Sequence, residues 1–119
     1  MILDAAHNPA GARALASYLD DAYGRRLPLV VGIMRDKDLD GLVWALAPAA
    51  SVFVLTAADT PRAAPAAELA DVARRVCPGV AHVIAANPID ALSRAAKAGA
   101  PIVVAGSLYL AGEIRPWLS

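Results

Sequence analysis

Cysteine is almost missing from this chain. Cys77 stands alone, which excludes an internal disulfide and a zinc site built on several thiolates. A single thiol fits a reducing compartment, so a cytoplasmic location is the expectation. Aromatic residues are also scarce, at 5% of a chain that is 58% hydrophobic. Alanine, leucine and valine must therefore fill the interior. Neither charge is in excess, since eleven basic residues meet eleven acidic ones. That balance excludes the basic surface that would bind nucleic acid or an anionic membrane. The sequence has no GxxxxGK[ST] loop and no GxGxxG fingerprint. It thus lacks a device for holding a nucleoside triphosphate by itself. No secretory signal is visible, because Asp4 follows the start at once. The long uncharged run at 41–58 is broken by Pro48 and Ser51, and its second half turns β-branched. It reads as a buried helix leading into a buried strand, not as a membrane span.

What is present is a steady alternation of apolar runs and helical patterns. At 119 residues the chain is one domain by length, with enough material for a core. Ile2 and Leu3 read as a short buried strand that ends in a polar turn. Asn8 is placed to cap a helix and Pro9 suits its first position. Residues 10–23 carry Ala12, Leu15, Leu19 and Ala22 at helical spacing, with Gly24 as the stop. Leu27 to Ile33 is a strand. Asp38 caps a helix bearing Leu39, Leu42, Val43 and Leu46, which Pro48 ends. Val52 to Thr56 is the third strand. Pro65 opens a helix bearing Leu69, Val72, Ala73 and Val76, closed by Pro78-Gly79. Val80 to Ala85 is the fourth strand. Asn87-Pro88 starts a helix lined by Ile89, Leu92 and Ala96 and stopped at Gly99. Ile102 to Ala105 is the last strand, and a final helix runs through Leu110 and Ile114.

The connections are too long for hairpins and the strands are apolar throughout. The expectation is an α/β fold, a Rossmann-like three-layer sandwich. It has a mostly parallel sheet of about five strands with helices on both faces. Ligands of such sheets bind beyond the carboxyl ends of the strands. The polar loops Asp4–Asn8, Met34–Asp38, Asp59–Arg62 and Gly106–Ser107 fall at those ends.

The candidate residues follow from that placement. Asp4 has two readings: a carboxylate that accepts ribose hydroxyls or orients His7, or a turn-forming acid bonded to backbone amides. His7 gains interest from this acidic neighbour and from the anion-favouring helix start behind it. His82, inside a strand, reads as structural. Lys37 lies between Asp36 and Asp38. It is either a solvated loop residue or the cation that holds a substrate carboxylate or phosphate. Arg35 and Arg62 are weaker candidates of the same kind. Ser107 either caps a helix or, with the amides behind it, grips a carboxylate. A nucleophile elbow is excluded there, because the second glycine is missing.

Asp4-Ala5-Ala6-His7-Asn8-Pro9, Asp36-Lys37-Asp38 and Gly106-Ser107-Leu108-Tyr109-Leu110 together resemble a known family. It is the C-terminal domain of folylpolyglutamate synthase/dihydrofolate synthase, in the Mur ligase superfamily. The resemblance runs in order over essentially the whole chain, and Pro61-Arg62-Ala63 is also similar. It implies that residues 1–119 form one glutamate ligase domain of an enzyme joining L-glutamate to a folate carboxylate. The carboxylate is phosphorylated by ATP, and the glutamate amine attacks the acyl phosphate. ATP and Mg would be held mainly by an N-terminal ATP-binding domain that this chain lacks, so the domain alone is expected to be inactive. The implied partners are that ATPase domain, L-glutamate, and folate or dihydropteroate, with no nucleic acid and no membrane. The resemblance assigns Asp4 and His7 to the nucleotide, with His7 the catalytic candidate. It assigns Asn8, Lys37 and Ser107 to the incoming glutamate, and no residue to a metal. Ala5 departs from the glycine usual in the family.

Two other readings compete. One is the C-terminal domain of a ligase making peptidoglycan precursors; the histidine and the Ser-Leu-Tyr-Leu segment favour the folate branch. The other is a non-catalytic α/β ligand-binding module. A receiver domain fits poorly, because Thr56 and Ser107 stand where an aspartate and a lysine are needed.

Overall fold

The computed structural model describes residues 2–4, 8–106 and 112–114. Three of its helices begin where an Asn or Asp side chain accepts from a free backbone N–H group. Helix α1 (Pro9–Tyr23) is capped by Asn8, whose Oδ1 accepts from the Gly11 N–H at 2.8 Å. It ends at Gly24, where φ is 64°, a left-handed conformation that glycine adopts without strain. Helix α2 (Leu39–Leu46) is capped by Asp38, which accepts from the Gly41 N–H at 3.0 Å. Pro48 does not stop the chain abruptly; it sits in a 3₁₀ turn over Ala47–Ala49. Helix α3 (Ala66–Val76) follows Pro65. Helix α4 (Pro88–Ala98) is capped by Asn87, and Asp90 reaches back to accept from the Ala86 N–H at 2.9 Å.

The strands are β1 (Ile2–Asp4), β2 (Leu27–Gly32), β3 (Ala50–Leu55), β4 (Ala81–Ile84) and β5 (Val103–Gly106). They form one sheet in the order β1-β5-β2-β3-β4, with every pairing parallel. The first three crossovers travel one way across the sheet, and α1, α2 and α3 pack on one face. The β4 to β5 crossover travels back, and α4 covers the opposite face. A constant crossover hand requires this flip when the direction reverses. The expected three-layer α/β fold is therefore present.

Under α1, α2 and α3 lie Leu15, Leu19, Leu42, Leu46 and Leu69, against Leu29, Phe53 and Leu55 of the sheet. Under α4 lie Val30, Val54, Val104, Ala91 and Ala95, with Ile114 from the C-terminal helical turn at 112–114. Some expectations need correction. Strand β4 is not buried: Val83 is 38% and Ile84 47% exposed. It is the outermost strand, and an apolar run does not reveal which strand lands at the edge. Ala22 and Ala96 are exposed, and α4 packs through Pro88, Ala91 and Ala95 instead. Alanine is at home on either face of a helix, so its spacing marks the buried stripe poorly. Ile114 is fully buried as expected, whereas Leu110 lies outside the described residues.

Candidate functional site

The strand register sets the carboxyl edge of the sheet. Asp4 stands beside Ala105, and Gly32 beside Gly106. Gly106 has φ 128°, and a Cβ there would collide with the Gly32 carbonyl oxygen. Only glycine lets β5 lie this close to β2 while turning at that point. Asp4, half-buried, is thus fixed at the rim by the pairing of β1 with β5.

Two helix starts meet along the same rim. A Cβ built on Gly41, in the first turn of α2, would lie 2.8 Å from Pro9 Cγ and would collide with the Asp38 carboxylate. The N-terminus of α1, with Asn8, is therefore packed directly against the capped N-terminus of α2. Unpaired amides and the positive ends of two helix dipoles face one region, which suits an anion. Asn8 Oδ1 is engaged in its cap.

Lys37 is exposed in the turn just before this cap, and its N–H donates to the Met34 carbonyl at 3.2 Å. The turn is braced from behind by the segment before α3. Met34 and Ala63 form an antiparallel bridge. The Arg35 N–H donates to Arg62 O at 2.8 Å, and the Ala64 N–H to Ile33 O at 2.9 Å. The Arg62 guanidinium lies 3.9 Å from the Asp36 carboxylate, with both side chains largely exposed. Arg35 reaches the Ala63 carbonyl at 3.5 Å. The two arginines thus tie the loops together, and Lys37 has no ion-pair partner among the described residues.

Of the residues singled out from sequence, Asp4, Asn8 and Lys37 share this rim. His7 and Ser107 lie outside the described residues, and so do Ala5 and the Leu108–Leu110 segment. His82 sits in β4, 3.4 Å from the Arg74 guanidinium and away from the rim. Among the described residues no group of three His, Cys, Asp or Glu side chains is placed to hold a metal ion.

Three carboxyl and thiol groups have shifted pKa values, all with a local cause. Asp40 on α2 accepts two hydrogen bonds from Arg75 on α3, at 2.6 and 2.9 Å. This pairing holds the Asp40 carboxyl below its ordinary value and raises the guanidinium. Asp90 is lowered by its bond from the Ala86 N–H and then by Arg94. Burial pushes the Cys77 thiol up. Asp40, in the first turn of α2, joins that helix to α3, whereas the Asp90 pair with Arg94 stays within α4.

Two residues with a bearing on the rim escaped sequence reasoning. Thr56, the residue after β3, is fully buried, and its hydroxyl has no partner among the described residues. The only signal was a hydroxyl closing an apolar run. Glu113 accepts a hydrogen bond from the Asp59 N–H. Nothing local in sequence points to a partner 54 positions away.

Fold and rim define a class: a parallel α/β domain that gathers helix starts, an acid and a lysine at the carboxyl edge of its sheet. The profile of the family described as "Mur ligase, glutamate ligase domain" matches residues 1–108, and the chain belongs to that family. It is 32% identical over 120 residues to folylpolyglutamate synthase of Lacticaseibacillus casei, which covers 99% of this chain and 27% of that protein. Mycobacterium tuberculosis folylpolyglutamate synthase, solved with ADP and AMPPCP, superposes with a TM-score of 0.86 at 36% identity. That match covers 96% of this chain and 28% of the other. A bifunctional folylpolyglutamate synthase/dihydrofolate synthase with Mn, AMPPNP and L-glutamate bound gives a TM-score of 0.78 at 25% identity. It covers 97% of this chain and 28% of that one. The chain thus spans a little over a quarter of the length of these relatives. Among the described residues no helix is long and apolar enough to cross a membrane.

Proposed function

We propose that residues 1–119 are the C-terminal, glutamate-side domain of a cytoplasmic, ATP-dependent folylpolyglutamate synthase that works with an N-terminal ATPase domain. The relatives are folylpolyglutamate synthases, and those solved with nucleotide, metal and glutamate support this reading. The observation that carries it is the contact of Pro9 with Gly41, which sets two helix starts beside the Lys37 turn. L-Glutamate brings two carboxylates and one amine. The carboxylates call for a cation and for free amides, which Lys37 and the helix starts supply. Asn8 and Ser107 complete that side.

In this reading ATP donates its terminal phosphoryl group to the folate or dihydropteroate carboxylate. The glutamate amine then attacks the acyl carbon, phosphate leaves, and the nitrogen loses a proton. Asp4 and His7 face the nucleotide across the cleft between domains. His7 is the catalytic candidate, and its role in this reading is to offset phosphate charge. Holding the amine in line is the main service of this domain; such positioning supplies up to roughly 7–11 kcal/mol of a barrier. Half of the pocket is contributed by the other domain, so catalysis requires closure. The test mixes this domain with its N-terminal partner and follows ATP- and glutamate-dependent folate extension. Extension only in the mixture is the expected result. A mixture that hydrolyses ATP yet extends no folate defeats the proposal.

A further inference from the structure

The helical turn at 112–114 makes two different attachments from adjacent residues. Ile114 is fully buried in the cluster that holds Met34, Ala58 and Ala63. Glu113, half-buried, sends its carboxylate to the backbone N–H of Asp59. Adjacent helical side chains diverge by about 100°. The two attachments therefore fix the loop before α3 in position and in orientation. A carboxylate acceptor makes a stronger bond than a neutral one.

That loop carries hydrogen bonds of its own from Ala58 onward. The Thr60 N–H donates to Ala58 O at 2.8 Å, and the Ala63 N–H to Thr60 O at 3.1 Å. The Arg62 N–H meets the Thr60 hydroxyl at 3.4 Å. Its far end is the ladder of Arg62–Ala64 against Ile33–Arg35, which backs the turn bearing Lys37. Asp59 thus begins a continuous hydrogen-bonded path to Lys37. Among the described residues the Glu113 carboxylate is the one side-chain bond joining the C-terminal turn to this path.

We infer that Glu113 is a positioning residue: by holding the Asp59 amide it fixes the paired loops that set the height of Lys37 over the rim. It acts on glutamate binding without touching the substrate. This inference rests on the ligase reading, and its test has one arm that does not. In this chain, backbone exchange at Asp59 followed by NMR rises about tenfold in Glu113→Ala and about threefold in Glu113→Gln, which keeps a neutral acceptor oxygen. Amides of the central strand β2 serve as the internal control and keep their protection. In the full-length enzyme, KM for L-glutamate rises about fivefold in Glu113→Ala, kcat stays within about twofold, and Glu113→Gln recovers most of the loss. Unchanged exchange at Asp59 overturns the brace itself. Faster exchange with an unchanged glutamate KM overturns its link to Lys37. A wild-type full-length enzyme with no glutamate-dependent turnover overturns the ligase reading instead, while the exchange arm still decides the brace.

Discussion

The two faces of the sheet are filled in opposite ways. Under α1, α2 and α3, leucines interlock with Leu29, Phe53 and Leu55. Under α4 the helix offers alanines, and one edge stays open as a cleft of about 410 Å³ between Val52, Val54, Val83 and the polar side of α4. The candidate site is built on the tight face, since α1 and α2 carry the helix starts at the rim. The sparse face carries the C-terminal turn and its Ile114 anchor. A binding site that must hold a small acidic substrate in register belongs on the stiffer half.

Neighbouring residues on β3 break or sharpen this contrast most strongly. Phe53→Ala empties the tight face and is expected to cost about 3–5 kcal/mol in urea unfolding. Val54→Ala, one position on but facing the open cleft, is expected to cost only about 1–2 kcal/mol. Equal losses would show that the faces are equally tight. Gly106→Ala forces a side chain onto Gly32 at φ 128° and is expected to cost about 3 kcal/mol, read in the same assay.

The helix caps serve both faces alike and were legible from sequence. Asn8, Asp38 and Asn87 each stand three residues before the N–H that their side chain accepts. Cap chemistry is local, so a short stretch of sequence contains all of it. The parallel order was legible in outline, because apolar strands alternating with helices admit few other arrangements. The exposure of β4 and the ladder of Met34 with Ala63 were not legible. Both depend on which distant segments become neighbours, and no local pattern encodes that. At the rim, Asp4, Asn8 and Lys37 were found through turn chemistry and the family motifs. Glu113 was missed because its partner is a backbone amide, which every residue but proline offers. Asn8→Ala and Asn87→Ala are each expected to cost about 1 kcal/mol, one on each face, by thermal or urea unfolding.

The smallest effect is on acid stability. Asp40 and Asp90 have folded values below the unfolded ones, through Arg75 for the first and the Ala86 amide with Arg94 for the second. Their contribution is present above the unfolded carboxylate value of about 3.9 and is lost as pH falls through the lower folded values. Asp40 is exposed and Asp90 only partly buried, so the effect is slight. Asp40→Asn, which removes the α2–α3 pair, is expected to flatten the stability profile below about pH 4. Unfolding curves across that range check it.

In the proposed function the Lys37 turn and the two helix starts receive the incoming amino acid. The most direct measurement is the KM for L-glutamate of the full-length enzyme carrying Lys37→Ala, taken beside its KM for ATP. A rise of at least about tenfold for glutamate with little change for ATP is the predicted result. An unchanged glutamate KM, or an equal rise for both substrates, would contradict it.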